Sequence, residues 1–93
     1  MTNKVYVILH NYQIPHEPTS DSCNVGVCDS LTEVEKAIRK YMERAELYKD
    51  IKISNYVIEE FNINGGESTH AIWLYGDQMK KFVEGVALED AIK

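Results

Sequence analysis

His10, His16, Cys23 and Cys28 are the residues of this chain whose types and spacing could do chemistry. In the order H-x5-H-x6-C-x4-C they fall within nineteen positions. Zinc takes imidazole nitrogen and thiolate sulfur in a tetrahedral shell, and a Cys2His2 set meets that need directly. Between them Asn11 to Asn24 carries Pro15, Pro18, Ser20, Asp21 and Ser22, which is the composition of a long loop. Ligands bracketing such a loop would turn metal-binding energy into folding energy. The spacing thus points to a structural zinc on these four residues, with His70 as the substitute ligand if one of them turns away. The metal-free alternative keeps His10 and Cys28 in the core and leaves His16 and Cys23 on the loop.

Little else in the chain suggests catalysis. It has no Gly-rich phosphate loop, no G-x-S-x-G and no H-E-x-x-H. Glu59 and Glu60 are neighbours in a β-rich run, so their side chains alternate faces and adjacency does not make them a carboxylate pair. Three histidines and two cysteines allow a Cys/His nucleophile on paper, but nothing in their spacing positions one. The expectation is a binding protein and not an enzyme. Trp73 and Tyr75, two apart on one strand face, are the candidate contact pair, because tryptophan and tyrosine are enriched at binding hot spots.

The elements that must position these residues can be read in turn. Val5 to His10 is β-branched and aromatic, too short for a helix, and reads as a strand buried on both faces. After the loop, Val25-Gly26-Val27-Cys28 reads as a short second strand. Ser30-Leu31-Thr32-Glu33 is a capping box opening a helix from about Leu31 to Lys49. Val34, Ala37, Ile38, Tyr41, Ala45 and Tyr48 give that helix its apolar stripe, with Glu35 and Arg39 paired on the wet face. Tyr56–Ile63 and Thr69–Tyr75 flank Asn64-Gly65-Gly66 and make a β-hairpin. Met79, Phe82, Val83, Val86, Leu88, Ala91 and Ile92 recur at helical spacing, interrupted by Gly85, so one frayed helix or two short ones close the chain. The reading is a single α+β domain over 1–93, with the order β-loop-β-α-β-β-α. It has a four-stranded, mainly antiparallel sheet, a long helix and a C-terminal helix packed on one face.

Bulk properties narrow the partners. Ninety-three residues suffice for one domain and not two. A net charge of −5, with basic residues scattered, argues against nucleic acid, which demands a clustered Lys/Arg surface. The apolar run Val5–Leu9 is too short for a membrane span and has no cleavage motif, so a cytoplasmic protein with reduced cysteines is expected.

Three segments carry a resemblance. They are Val5-Tyr6-Val7-Ile8-Leu9-His10-Asn11-Tyr12, then Gly26-Val27-Cys28-Asp29-Ser30 leading into Glu33-Val34-Glu35-Lys36-Ala37-Ile38, and Tyr56-Val57-Ile58-Glu59-Glu60-Phe61-Asn62-Ile63. Together they resemble a family of small uncharacterised bacterial and phage domains patterned V-Y-V-L-x-H-x-Y, G-V-Y-S-S-helix and F-x-I-x-E-Y. The resemblance covers about the first two-thirds of the chain and implies an α+β fold without an assigned activity. Cys28 departs from the pattern's tyrosine, and the loop with His16 and Cys23 is longer, so the departures fall on the candidate ligands. In character the chain is also similar to phage anti-CRISPR proteins. That similarity implies an inhibitor of a host defence nuclease, with a metal-free structural or adaptor domain of a phage or bacterial assembly as the alternative.

Overall fold

The computed structural model describes residues 4–13, 20–63 and 68–93. Four strands form one antiparallel sheet: β1 (Lys4–Gln13), β2 (Ser20–Cys28), β3 (Ser54–Asn62) and β4 (Ser68–Leu74), in the spatial order β2-β1-β3-β4. Helix α1 (Leu31–Met42) and a 3-10 turn (Glu46–Lys49) link β2 to β3. Helices α2 (Gly76–Val83) and α3 (Leu88–Ala91) follow β4. The α+β class and the antiparallel sheet agree with the reading of the sequence. No helix among the described residues is long and apolar enough to cross a membrane.

Strand alternation sends Tyr6, Ile8 and His10 of β1, and Ser54, Tyr56 and Ile58 of β3, to one face, where all are buried. Val34, Ile38, Tyr41 and Met42 of α1, Met79 and Phe82 of α2, and Leu88 and Ala91 of α3 close over that inner face in a single cluster. Ser30 caps α1, its Oγ accepting from the Glu33 amide at 3.3 Å. The Glu33 carboxylate meets Lys36 Nζ at 3.5 Å.

Two expectations change. β1 and β2 are longer than the sequence suggests, because their ladder continues through polar residues as far as Gln13↔Ser20. The expected loop positions 11–13 and 20–24 are therefore strand, held by the ladder, and positions 14–19 lie outside the described residues. The first helix is shorter: it stops at Met42, and Ala45 turns to extended backbone at φ −160 and ψ 142 before the 3-10 turn. In a continuous helix, Tyr48 would stand about 10 Å along the axis from Tyr41. The break swings it back so that the two rings stack at 4.7 Å.

The Glu35–Arg39 pair does not sit on a wet face, because the tail folds across it. Arg39 bonds Glu35 at 3.3 Å and donates to the carbonyls of Phe82 at 3.0 Å and Val86 at 2.9 Å. Its guanidinium carbon lies 4.0 Å from the Phe82 ring centroid. Glu35 accepts from the Leu88 amide at 2.7 Å and so caps α3 from α1. Gly85, at φ 114, makes the reversal between α2 and α3 in a region that strains any residue with a Cβ.

Removing the guanidinium deprives the Phe82 carbonyl at the end of α2 and the Val86 carbonyl in the link to α3 of this donor, and charged hydrogen bonds are worth roughly 1.5–3 kcal/mol each. Arg39→Ala is expected to cost about 3 kcal/mol in denaturant unfolding. Arg39→Lys should recover less than half of that, since an ammonium cannot serve both carbonyls and the ring in one geometry. Full recovery by lysine would show that only the charge matters.

Candidate functional site

The inner face centres on His10, which is fully buried. Its imidazole is stacked between Tyr12 and Tyr56, with centroids at 5.0 and 4.6 Å, and meets Tyr41 and Tyr48 edge-on at 5.3 and 4.9 Å. Nδ1 lies 2.9 Å from the Tyr41 hydroxyl and Nε2 lies 2.9 Å from Ser54 Oγ. Ser54 donates its one proton to the Leu47 carbonyl at 2.8 Å. Ser54 must therefore accept from Nε2–H, which leaves Nδ1 bare to accept the Tyr41 O–H. Hydrogen-bond accounting fixes both the tautomer and the direction of the whole chain.

Burial pushes the His10 pKa down to about 4. Burial likewise raises the phenols of Tyr41 and Tyr56, and the adjoining Cys23 thiol adds to the shift at Tyr41. Tyr56 donates to the Tyr48 carbonyl at 2.9 Å. The imidazole of His10 and the hydroxyls of Tyr41, Ser54 and Tyr56 thus each have a hydrogen-bond partner. No buried side-chain polar atom among the described residues lacks a partner. The arrangement is an aromatic cage already filled by its own histidine.

The candidate ligands are distributed unevenly. Cys23 lies directly opposite His10 across the β1–β2 ladder, and it is exposed. Cys28 lies opposite Tyr6, four strand positions from His10, which is roughly 13 Å. A zinc ion holds its ligand atoms within about 2.3 Å, so in this register one ion does not reach both His10 and Cys28. A metal on His10 would also have to displace Tyr41 or Ser54. Among the described residues no three His, Cys, Asp or Glu side chains gather as a metal-holding group. His16 lies outside the described residues. His70 is exposed at the far end of the sheet, on β4. Burial, aided by Glu33 and Asp29, raises the Cys28 thiol pKa and keeps it protonated.

Both cysteines face inward only because of a bulge. Positions five apart on a regular strand face opposite sides. The register steps from Ile8↔Gly26 to Leu9↔Asn24, so Val25 is the extra residue that restores Cys23 to the face of Cys28. Gly26 inside a strand was the available signal for that bulge.

The outer face is built differently. Val5, Val7 and Leu9 of β1 and Phe61 of β3 are half-buried there, and Val57 is buried yet outside the core cluster. Val27 is 63 % exposed and Trp73 is 51 % exposed. All three helices contribute their buried side chains to the inner cluster, which leaves this face uncovered among the described residues. Glu59 stands in its middle, between Val7 and Ala71. Tyr75, 58 % exposed, follows β4 in extended backbone. It joins Trp73 in lining a groove of about 700 Å³ along the β4 edge, together with Ile72, Asn55 and Gln78. The expected contact pair is therefore brought together and left open. β1 is not buried on both faces as its apolar run suggests, because Val5, Val7 and Leu9 are only half-buried and alternate with buried residues.

No family model, curated protein or solved structure matches this chain.

His10 supplies a pH dependence with a definite sign. The unfolded imidazole titrates near 6.5 and the folded one near 4. Between those values the unfolded chain binds the extra proton, so the stabilisation is full above pH 6.5 and is lost as pH falls toward 4. The difference amounts to roughly 3 kcal/mol. Urea unfolding across this range should show that loss, and His10→Gln should flatten it; parallel curves would refute the assignment. Tyr41→Phe, which strips Nδ1 of its donor, should cost about 1–3 kcal/mol at pH 7.

Proposed function

We propose that this chain is a non-enzymatic protein-binding domain that meets a basic protein partner through the outer face of its sheet. The observation that carries the proposal is the contrast between the two faces. The inner face is closed by the helices over a buried, hydrogen-bonded His10, while the outer face holds Val5, Val7, Val27, Val57 and Trp73 with no helix over them among the described residues. Contiguous apolar surface rimmed by polar groups is the mark of an interaction site. Glu59 at its centre, together with the net charge of −5, selects a partner that brings a cation to that point.

The narrower form of this reading follows the resemblance to anti-CRISPR proteins: the partner is a CRISPR-associated nuclease, and occupying its basic surface inhibits it. Trp73 and Tyr75 are the anchors. A structural zinc is a separate proposal on which the binding reading does not depend. One zinc per chain by native mass spectrometry, lost in Cys23→Ser or His16→Ala, would support it. A metal-free mass with a melting temperature unchanged by chelator would remove it.

A panel of purified CRISPR-associated nucleases tests the inhibitor reading through target cleavage and native mass spectrometry of the mixture. The expected result is a stoichiometric complex and loss of cleavage with at least one nuclease. Trp73→Ala should weaken that complex by at least tenfold, a loss of about 1.4 kcal/mol or more, with the fold intact by circular dichroism. Glu59→Lys should weaken it further at low salt than at high salt. A chain that neither binds nor inhibits any member of the panel would leave the adaptor alternative standing in its place.

A further inference from the structure

The sheet has two edges and they are built differently. β2, at one edge, carries the Val25 bulge, Gly26 and the exposed Asp21. Bulges and charges are the devices that keep an edge from pairing with another chain. β4, at the other edge, runs Ser68–Leu74 without an Asp, Glu, Lys, Arg or Pro. Its own bulge lies at its start, where Thr69 is the extra residue between Phe61↔Ser68 and Glu60↔His70, and from His70 to Leu74 its register on β3 is regular. No strand pairs with its free side among the described residues. An edge in that state offers a row of backbone donors and acceptors to any extended chain.

We propose that β4 pairs with β4 of a second copy of this chain, antiparallel about a two-fold axis at Ile72, to form one eight-stranded sheet. An isologous interface has to complement itself, and this strand does. Pairing about Ile72 sets Trp73 opposite Ala71 of the second copy, and the symmetry repeats the match on the other side. Each large indole then lies against a small methyl, and both positions are exposed on the outer face in the single chain. The groove beside Trp73 and Tyr75 runs along the same edge and receives side chains from the second copy.

Charge selects the edge over the face. Each copy carries −5, so carboxylate-bearing surfaces repel one another, and β4 is a stretch where two copies meet without opposing acids. Stacking two outer faces would instead bury the Glu59 carboxylate of each copy away from water. The edge pairing leaves both outer faces open and joins them into one continuous surface with two tryptophans near its centre. This inference concerns the edge of the sheet and stands apart from the identity of any partner on its face.

Sedimentation equilibrium of the chain alone, over a concentration series, tests it. The expected species has twice the 10.7 kDa mass of one chain. Ala71→Asp places a carboxylate opposite each indole and should raise the dimer dissociation constant at least tenfold, with the monomer's far-ultraviolet spectrum unchanged. Val27→Asp adds the same charge to the outer face at β2 and should leave the dimer intact. In the unsubstituted chain, amide exchange over His70–Leu74 should slow as concentration rises, a readout that does not depend on either variant folding. A one-chain mass throughout the series would overturn the proposal. So would a dimer that survives Ala71→Asp, which cannot rest on the match of Trp73 with Ala71, or one that is lost in Val27→Asp, which rests on the outer face.

Discussion

One buried imidazole organises the inner half of this molecule. His10 sits on β1, yet its two nitrogens reach Tyr41 on α1 and Ser54 on β3, and Ser54 passes the chain to the carbonyl of Leu47 in the 3-10 turn. Four elements thus converge on a ring that cannot ionise without breaking the pattern of donors around it. A buried polar group costs little only while each of its lone pairs and protons is matched. That condition explains why α1 stops where it does. Only a helix that ends at Met42 can return Tyr48 to the cage and present the Leu47 carbonyl to Ser54.

The closed inner face and the open outer face share one ladder. Because alternate residues of β1 and β3 point to opposite sides, packing His10, Ile8, Tyr56 and Ile58 inward obliges Leu9, Val7, Val57 and Phe61 to point outward. A sheet in an α+β domain can leave such a face to water if its residues are polar. Here the residues are largely valine, leucine and aromatic, so the exposed side carries a hydrophobic free energy that folding of this chain alone does not recover. Glu59 in the middle of that surface keeps it from being a simple sticky plane and gives it a sign.

The Glu35–Arg39 pair shows how a local pattern acquires a different meaning in the fold. At an i,i+4 spacing it reads as a modest surface pair. Once α2 and α3 cross over it, the same two side chains terminate one helix and cap the next, with Phe82 beneath the guanidinium. A similar change of meaning affects Cys23 and Cys28. Their spacing suits a metal motif, but the ladder sets one opposite His10 and the other opposite Tyr6.

What the sequence alone determined was local. The capping serine at Ser30, the apolar stripe of α1 and the break at Gly85 are each written in residues a few positions apart, while the turn expected at Asn64-Gly65-Gly66 lies outside the described residues. From these the α+β class and the element order followed. The open pair Trp73 and Tyr75 was legible for the same reason, since it needs only two neighbouring side chains on an extended backbone. The tertiary structure decided which strands lie side by side, and so which residues from distant segments meet. The Val25 bulge reset the parity of β2, the tail covered a helix face that looked solvated, and a histidine that resembled a ligand became the hub of a neutral hydrogen-bond chain. These outcomes depend on contacts between separate segments, such as Leu9 with Asn24 across the bulge and His10 with Tyr41 at a separation of 31. Periodicity and spacing along the chain carry no record of them, because the energy that selects them exists only once the ladder has formed.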